Sequence, residues 1–168
     1  MERLAGKPVS DSAFEHRERV FPHHLNPGNI LYGGWIPFWA DSVAALCAER
    51  HCGIPIVTAV MDGIHLLCPV TKNDVLLFKA SVNRVWDSSC EVGVKIYAEN
   101  PYTRHLRHVA TGYFVMVSMA LGPDGKRISM PKVIPETEDE KRRFKQAAVR
   151  NRRRKAERKK MLKENQTA

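Results

Sequence analysis

GGWIPFWADSVAALCAERHCG, residues 33–53, decides how the rest of the chain must fold. Trp35, Phe38, Trp39, Val43, Leu46 and Cys47 recur at spacings of three and four, which predicts a helix over residues 34–51. Pro37 falls in its first turn, where the missing amide costs nothing, and Gly53 offers a left-handed stop. Ala40, Ala44, Ala45 and Ala48 extend the apolar surface around most of the circumference, so the helix should be buried rather than laid on a surface. Asp41 is the residue that does not belong there. A buried carboxylate must be paired, neutralised or turned toward a wet cleft. Structural pairing is the common explanation; a cleft carboxylate would suit activation of a water as general base.

Upstream, residues 14–22 read as a first strand, followed by HHLNPGNILYGG (23–34), too rich in Asn, Gly and Pro for regular structure. Downstream, residues 56–67, 75–86, 89–99 and 105–121 read as four long strands. Alternation is clearest where Val92, Val94, Ile96 and Ala98 share one face. Thr71-Lys72-Asn73-Asp74, Asn100-Pro101 and Gly122-Pro123-Asp124-Gly125 supply the turns. One strand, one buried helix and four strands predict an α+β class: an antiparallel sheet curled round a central helix, which covers several helix faces without a second helical layer. Residues 1–12 read as a flexible arm, 13–136 as the domain and 137–168 as a basic helical tail. That tail opens on a Thr137-to-Glu140 capping box and frays beyond Arg150.

The 168 residues and 43% hydrophobic content suit one folded domain. The net charge of +9 is confined to the tail. Residues 1–140 hold 14 Lys or Arg against 16 Asp or Glu, and residues 141–168 hold 13 against 2. A nearly neutral body argues against nucleic acid as its partner. No apolar run approaches the roughly 18 residues of a membrane span, and no secretory signal is evident, so a cytoplasmic location is expected. Cys47, Cys52, Cys68 and Cys90 form no CxxC pair and read as free packing residues. His23-His24 and His105/His108 lack a third ligand at metal spacing, so no metal is expected. Neither a GxSxG elbow nor a phosphate-cradling GxxxxGK[ST] occurs.

Candidate chemistry gathers at Asn26, Gly33-Gly34 and Asp41. Unpaired amides at a helix start, reinforced by the dipole, can stabilise an oxyanion; the glycines can equally serve only a tight turn. Asp41 lies about 10 Å along the axis from that start, at about 1.5 Å per residue. One helix cannot bring both groups to one carbon, whereas antiparallel helices from two subunits can.

VFPHHLNPGNILYGGWIPFWADSVAALCAERH (20–51) resembles the signature of hot-dog acyl-CoA thioesterases of the broad-specificity, cytosolic acyl-CoA hydrolase type. PIVTAVMDGIHLLCPVTKNDV (55–75), SSCEVGVKIYAEN (88–100) and GYFVMVSMALGPDGKRISMPKVIPETEDE (112–140) resemble later parts of that family, and the likeness extends over residues 15–154. It implies a hot-dog fold, a homodimer assembling to a tetramer or hexamer, and acyl-CoA as substrate, with coenzyme A as part of substrate and product and no separate cofactor. By motif match Asn26 would orient the thioester carbonyl or the attacking water, Asp41 of the neighbouring subunit would be general base or nucleophile, and the Gly34 amide would serve the oxyanion. Thr58 would hold the water or Asp41, and Ser88-Ser89 would lie along the pantetheine arm. Arg150, Arg153 and Arg154 are candidates for the CoA phosphates. Trp86-Asp87 stands where the family has Gly, Leu67 where an aromatic is common, and Asn73 where a turn Gly is usual.

Two other classes are open to the same residues. A non-catalytic acyl-CoA-binding regulator would bind without releasing CoA, though no helix-turn-helix segment accompanies the domain. A hot-dog dehydratase would want a His where the helix offers Asp41.

Overall fold

Trp35–Cys52 form an 18-residue helix, α2, that stops at Gly53 with φ of 68°, as the sequence predicts. It is held by a five-stranded sheet in which every neighbouring pair is antiparallel. In this computed structural model, which describes residues 5–166, the strands are β2 (Phe14–Arg19), β3 (Ile56–Met61), β4 (Val75–Val85), β5 (Ser89–Glu99) and β6 (Leu106–Ser118). Their order across the sheet is β2-β4-β5-β6-β3, so β3 is an edge. Val92, Val94, Ile96 and Ala98 of β5 are fully buried on the face toward α2, where the core also takes in Phe78, Phe114 and Met116. Each such large apolar side chain contributes about 1.5–3 kcal/mol by leaving water.

The helix is less enclosed than its composition suggests. Ile36, Trp39, Ala40, Val43, Ala44, Cys47 and Ala48 are covered, but Phe38 is 60% exposed and Leu46 48%. A single curled sheet covers one side of a cylinder, so an apolar stripe remains outside. Val57, Val60 and Met61 on β3 extend that stripe along the sheet edge.

Two expectations about the ends of the chain need correcting. Residues 7–12 are ordered: Lys7–Pro8 (β1) pair in parallel with Val133–Ile134 (β7), and Val9–Ser12 form a short helix, α1. Val9 and Ser12 are buried there, with the Ser12 hydroxyl accepting from the Val82 amide at 3.0 Å and donating to the Val9 carbonyl at 2.6 Å. The first four residues of the proposed arm lie outside the described residues. The C-terminal helix, α3, runs Glu138–Gln166, well past Arg150. Its start is the expected capping box: Thr137 Oγ1 accepts from the Glu140 amide at 3.2 Å, and Glu140 Oε2 accepts from the Thr137 amide at 3.0 Å.

Turn chemistry follows the sequence closely. Asp74 Oδ2 accepts from the Thr71 amide at 2.7 Å, and Asn73 adopts φ of 73°. Asn100 Oδ1 caps the β5–β6 turn through the amides of Tyr102 and Thr103.

Candidate functional site

The loop before α2 is organised by Asn26. Its Oδ1 accepts from the Gly28 amide at 2.9 Å and, more weakly, from Ile30 at 3.4 Å, while its own amide bonds the Ile30 carbonyl at 2.8 Å. The side-chain carbonyl is thus occupied by the loop, and Asn26 Nδ2 has no acceptor among the described residues. Leu31 and Tyr32 tie the loop down through Val70 and His24. His24 is buried against Trp35 and Trp39, with ring centroids at 4.9 and 5.1 Å; burial, with a smaller contribution from neighbouring His23, lowers its pKa below 6.5.

Gly34 is the residue preceding α2, with no side-chain cap. A Cβ there would meet Tyr32 Cε1 at 2.7 Å, so a side chain at this position would displace the exposed Tyr32 ring. The amides of Gly33 and Gly34 find no acceptor among the described residues, and both glycines are exposed. Two donors at the positive end of a helix therefore face outward.

Asp41 sits at the boundary between the covered and open sides of α2, half-buried. Thr58 on β3 donates its hydroxyl to Asp41 Oδ1 at 2.6 Å, and the buried Met116 sulfur lies 3.3 Å from the same hydroxyl. The β3–β6 register shifts between Thr58 and Val60; such a bulge commonly re-aims a side chain beside a functional site. Asp41 is consequently oriented, half-buried, and among the described residues no Lys, Arg or His pairs with it.

Other candidates are placed elsewhere. Ser88 closes the β4–β5 turn and Ser89 opens β5; Ser88 O accepts from the Ser118 amide and Ser89 O from the Trp86 amide, both at 2.9 Å. Asp87 is held by the Ser129 hydroxyl at 2.6 Å, and Lys132 reaches the Trp86 carbonyl. Arg150 and Arg154 have a task the sequence does not suggest. Arg150 grips Glu91 at 2.6 Å and lies 3.6 Å over the Tyr113 ring; Arg154 bonds Glu91 Oε2 at 2.8 Å and Asp62 Oδ2 at 2.7 Å. Glu91, on the outer face of β5, is fully buried beneath α3. Both guanidinium groups are therefore committed to protein carboxylates, and Arg153 pairs on the surface with Glu157 at 3.5 Å. Cys47 is no rival nucleophile: burial pushes its thiol up to about 12. All four cysteines are free, three of them buried. Among the described residues no three His, Cys, Asp or Glu side chains gather as a metal site.

The pattern described as "Thioesterase superfamily" matches residues 28–104, a span holding Gly33, Gly34, Asp41, Thr58, Ser88 and Ser89. The Bacillus subtilis protein YkhA, an uncharacterized acyl-CoA thioester hydrolase, is 36% identical over 140 residues, covering 83% of this chain and 80% of that one. The chain belongs to this family of acyl-CoA thioester hydrolases. Its fold is accordingly the hot-dog fold of the family's solved structures. An acyl-CoA hydrolase from Staphylococcus aureus, in complex with butyryl coenzyme A, coenzyme A and coenzyme A disulfide, superposes with a TM-score of 0.85 at 32% identity, covering 94% of each chain. That hydrolase has also been solved with an Asn, an Asp and a Thr each replaced by Ala. Those three are separated along its chain by the same numbers of residues as Asn26, Asp41 and Thr58. A hexameric acyl-CoA thioesterase superposes with a TM-score of 0.85 at 28% identity, covering 92% of this chain and 97% of that one. Among the described residues of this family member, no helix is long and apolar enough to cross a membrane.

Proposed function

We propose that this chain hydrolyses acyl-CoA thioesters to a free carboxylic acid and coenzyme A, in the cytoplasm, at sites each built from two protomers. The observation that carries the reading is the Thr58–Asp41 hydrogen bond of 2.6 Å at the open side of α2, in a chain whose Asn26 and Gly33-Gly34 offer unused donors. Asp41 takes a proton from water as the water oxygen attacks the thioester carbon. Asn26 Nδ2 and the helix-start amides carry the oxyanion; the C–S bond then breaks and CoA leaves as the thiol with the proton returned. General base catalysis of this kind supplies typically about 10²–10⁴ in rate and an oxyanion donor about 10²–10³. In the variant reading Asp41 attacks the carbonyl directly and water opens the resulting anhydride.

Asp41 is the seventh residue of α2, about 10 Å from its start at about 1.5 Å per residue. The donors at one helix start therefore serve the carboxylate of a second protomer lying antiparallel. The stripe of Phe38, Leu46, Val57, Val60 and Met61, exposed on α2 and the adjacent edge strand, is apolar enough to receive it. Pairing of such dimers leads to a tetramer or hexamer. Ser88-Ser89 would flank the pantetheine arm in the assembled site. Arg153 is the one member of the proposed phosphate-binding trio that keeps an exposed guanidinium.

Thiol release from acyl-CoA tests the chemistry: Asp41→Ala and Asn26→Ala should each lower kcat by roughly two orders of magnitude or more while the oligomer persists. Mixing the two inactive variants tests the sharing. A heterodimer of them rebuilds one intact site, so random pairing should recover about a quarter of wild-type activity. No recovery would place Asn26 and Asp41 in one protomer's own site.

A further inference from the structure

After β3 the chain leaves the sheet at Asp62 and crosses without regular structure to Val70. Leu66 and Leu67 on this crossing are more than half exposed. With Ile30, Leu31, Ile36 and Val109 they enclose an apolar cavity of ≈ 360 Å³ that opens beside Gly33. If the thioester carbonyl meets the Gly33-Gly34 amides, an alkyl chain continuing from it enters this space, whose lining offers pantetheine few polar partners.

The wall has few fixings. The amides of Asp62, Leu67 and Leu31 donate to the carbonyls of Tyr113, Val109 and Val70 respectively, and none of these bonds fixes a side chain. Toward Val70 the Cys68 thiol donates to the His108 carbonyl at 3.5 Å, Arg107 donates to the Pro69 carbonyl at 3.2 Å, and Ile64 packs on the core; at the Asp62 end the tie is ionic. Asp62 Oδ2 accepts from Arg154 Nη1 at 2.7 Å, and the other arm of that guanidinium holds Glu91 Oε2 at 2.8 Å. Glu91 is itself fixed by Arg150 through both oxygens. Arg154 and Asp62 are about nine-tenths buried, so water screens the pair little. A rigid chain of contacts therefore runs from α3, through the outer face of β5, to the root of the cavity wall.

We infer that Arg154 is a positioning residue: through Asp62 it holds the Leu66-Leu67 wall in place and so sets which acyl chains the site accepts. The inference rests on the hydrolase reading. Asp62→Asn is the sharper probe, because it loosens the wall while leaving the buried Arg154–Glu91–Arg150 cluster intact. Arg154→Lys, which cannot hold both carboxylates in a planar fork, is its companion.

Kinetics across acetyl-, butyryl-, octanoyl- and palmitoyl-CoA, with amide hydrogen exchange over residues 63–68, form the experiment. In Asp62→Asn, acetyl-CoA should keep kcat and KM within about two-fold of wild type, since it barely enters the cavity. KM for octanoyl-CoA should rise by roughly ten-fold with kcat little changed, as for a lost charge-assisted contact, and exchange over 63–68 should quicken. Arg154→Lys should fall between the two. A chain-length profile unchanged, or scaled equally at every length, overturns the inference even if the melting temperature drops, because a purely stabilising tie would do that. Should wild type release no thiol from any acyl-CoA, the hydrolase reading fails. Slow, wild-type-like exchange in Asp62→Asn would then still refute the tie.

Discussion

A single hydroxyl decides how Asp41 is aimed. Thr58 Oγ1 has one proton, and at 2.6 Å it goes to Asp41 rather than to the more distant Met116 sulfur. Thr58→Val removes that bond while keeping a β-branched side chain suited to the strand. We expect kcat to fall by roughly ten- to a hundred-fold with KM nearly constant, because a carboxylate free to rotate spends less time in the attacking geometry. Steady-state kinetics and a melting curve check this. An unchanged kcat would reduce Thr58 to a packing residue. At the same scale, the Asn26 side chain is split: its oxygen fastens the loop, and its nitrogen has no acceptor among the described residues. The arginines teach the opposite lesson. Arg150 and Arg154 read in the sequence as candidates for the CoA phosphates, but the buried Glu91 lies beneath them.

α3 is held by that buried cluster more than by apolar packing, since only Ala147 along its length is fully buried. Phe144 assists, with Arg84 lying 4.1 Å over its ring. Breaking one member of a buried ion cluster strands the others without a counter-charge, which costs about 3–5 kcal/mol. Glu91→Gln should therefore lower the melting temperature by on the order of 10 °C for a chain of this size, seen by calorimetry. A shift near zero would mean that α3 is anchored by something else. Beyond Arg154 the helix continues to Gln166 although the side chains of residues 155–165 are exposed. The Arg153–Glu157 and Lys160–Glu164 pairs at one-turn spacing add only about 0.3–0.5 kcal/mol each. Continuity from the capped, anchored first half does the remainder, because extending a helix is cheaper than starting one.

For the whole molecule, the uncovered stripe on α2 and β3 predicts assembly. Phe38→Asp places a charge where a second protomer must pack, so oligomer and activity should be lost together, as light scattering and thiol release would report. Full activity in a monomer would end the two-protomer site. Acid should also weaken the fold. His51 is fully buried with its Nε2 2.9 Å from the Pro131 carbonyl and no partner for Nδ1. Burial lowers its pKa below 6.5 despite that carbonyl, and His24 moves the same way. The unfolded chain then binds more protons below pH 6.5, so the stability these residues contribute is present above that value and lost as pH falls through it. The melting temperature should drop between about pH 7 and pH 5, and His51→Gln should flatten that acid limb.

By itself the sequence determined the central helix, the five strands of the main sheet and their order along the chain. The three-and-four spacing of residues 35–47, the alternation in β5, the capping box at Thr137 and the turn residues at Asn73 and Asn100 are local signals, written in the neighbours of each residue. It also brought out Asp41, a carboxylate in an apolar helix, and Asn26 in the Gly-rich loop before it, while Thr58 was reached only through the family resemblance. Only the tertiary structure decided what lies over what. The burial of residues 7–12 beside Val82, the covering of Glu91 by α3, the tie from Arg154 to Asp62 and the open side of α2 all join residues far apart in the chain. Local propensity carries no information about such contacts; they exist because a curled open sheet has two faces and two edges, and the chain ends cover part of one face while leaving the β3 edge bare.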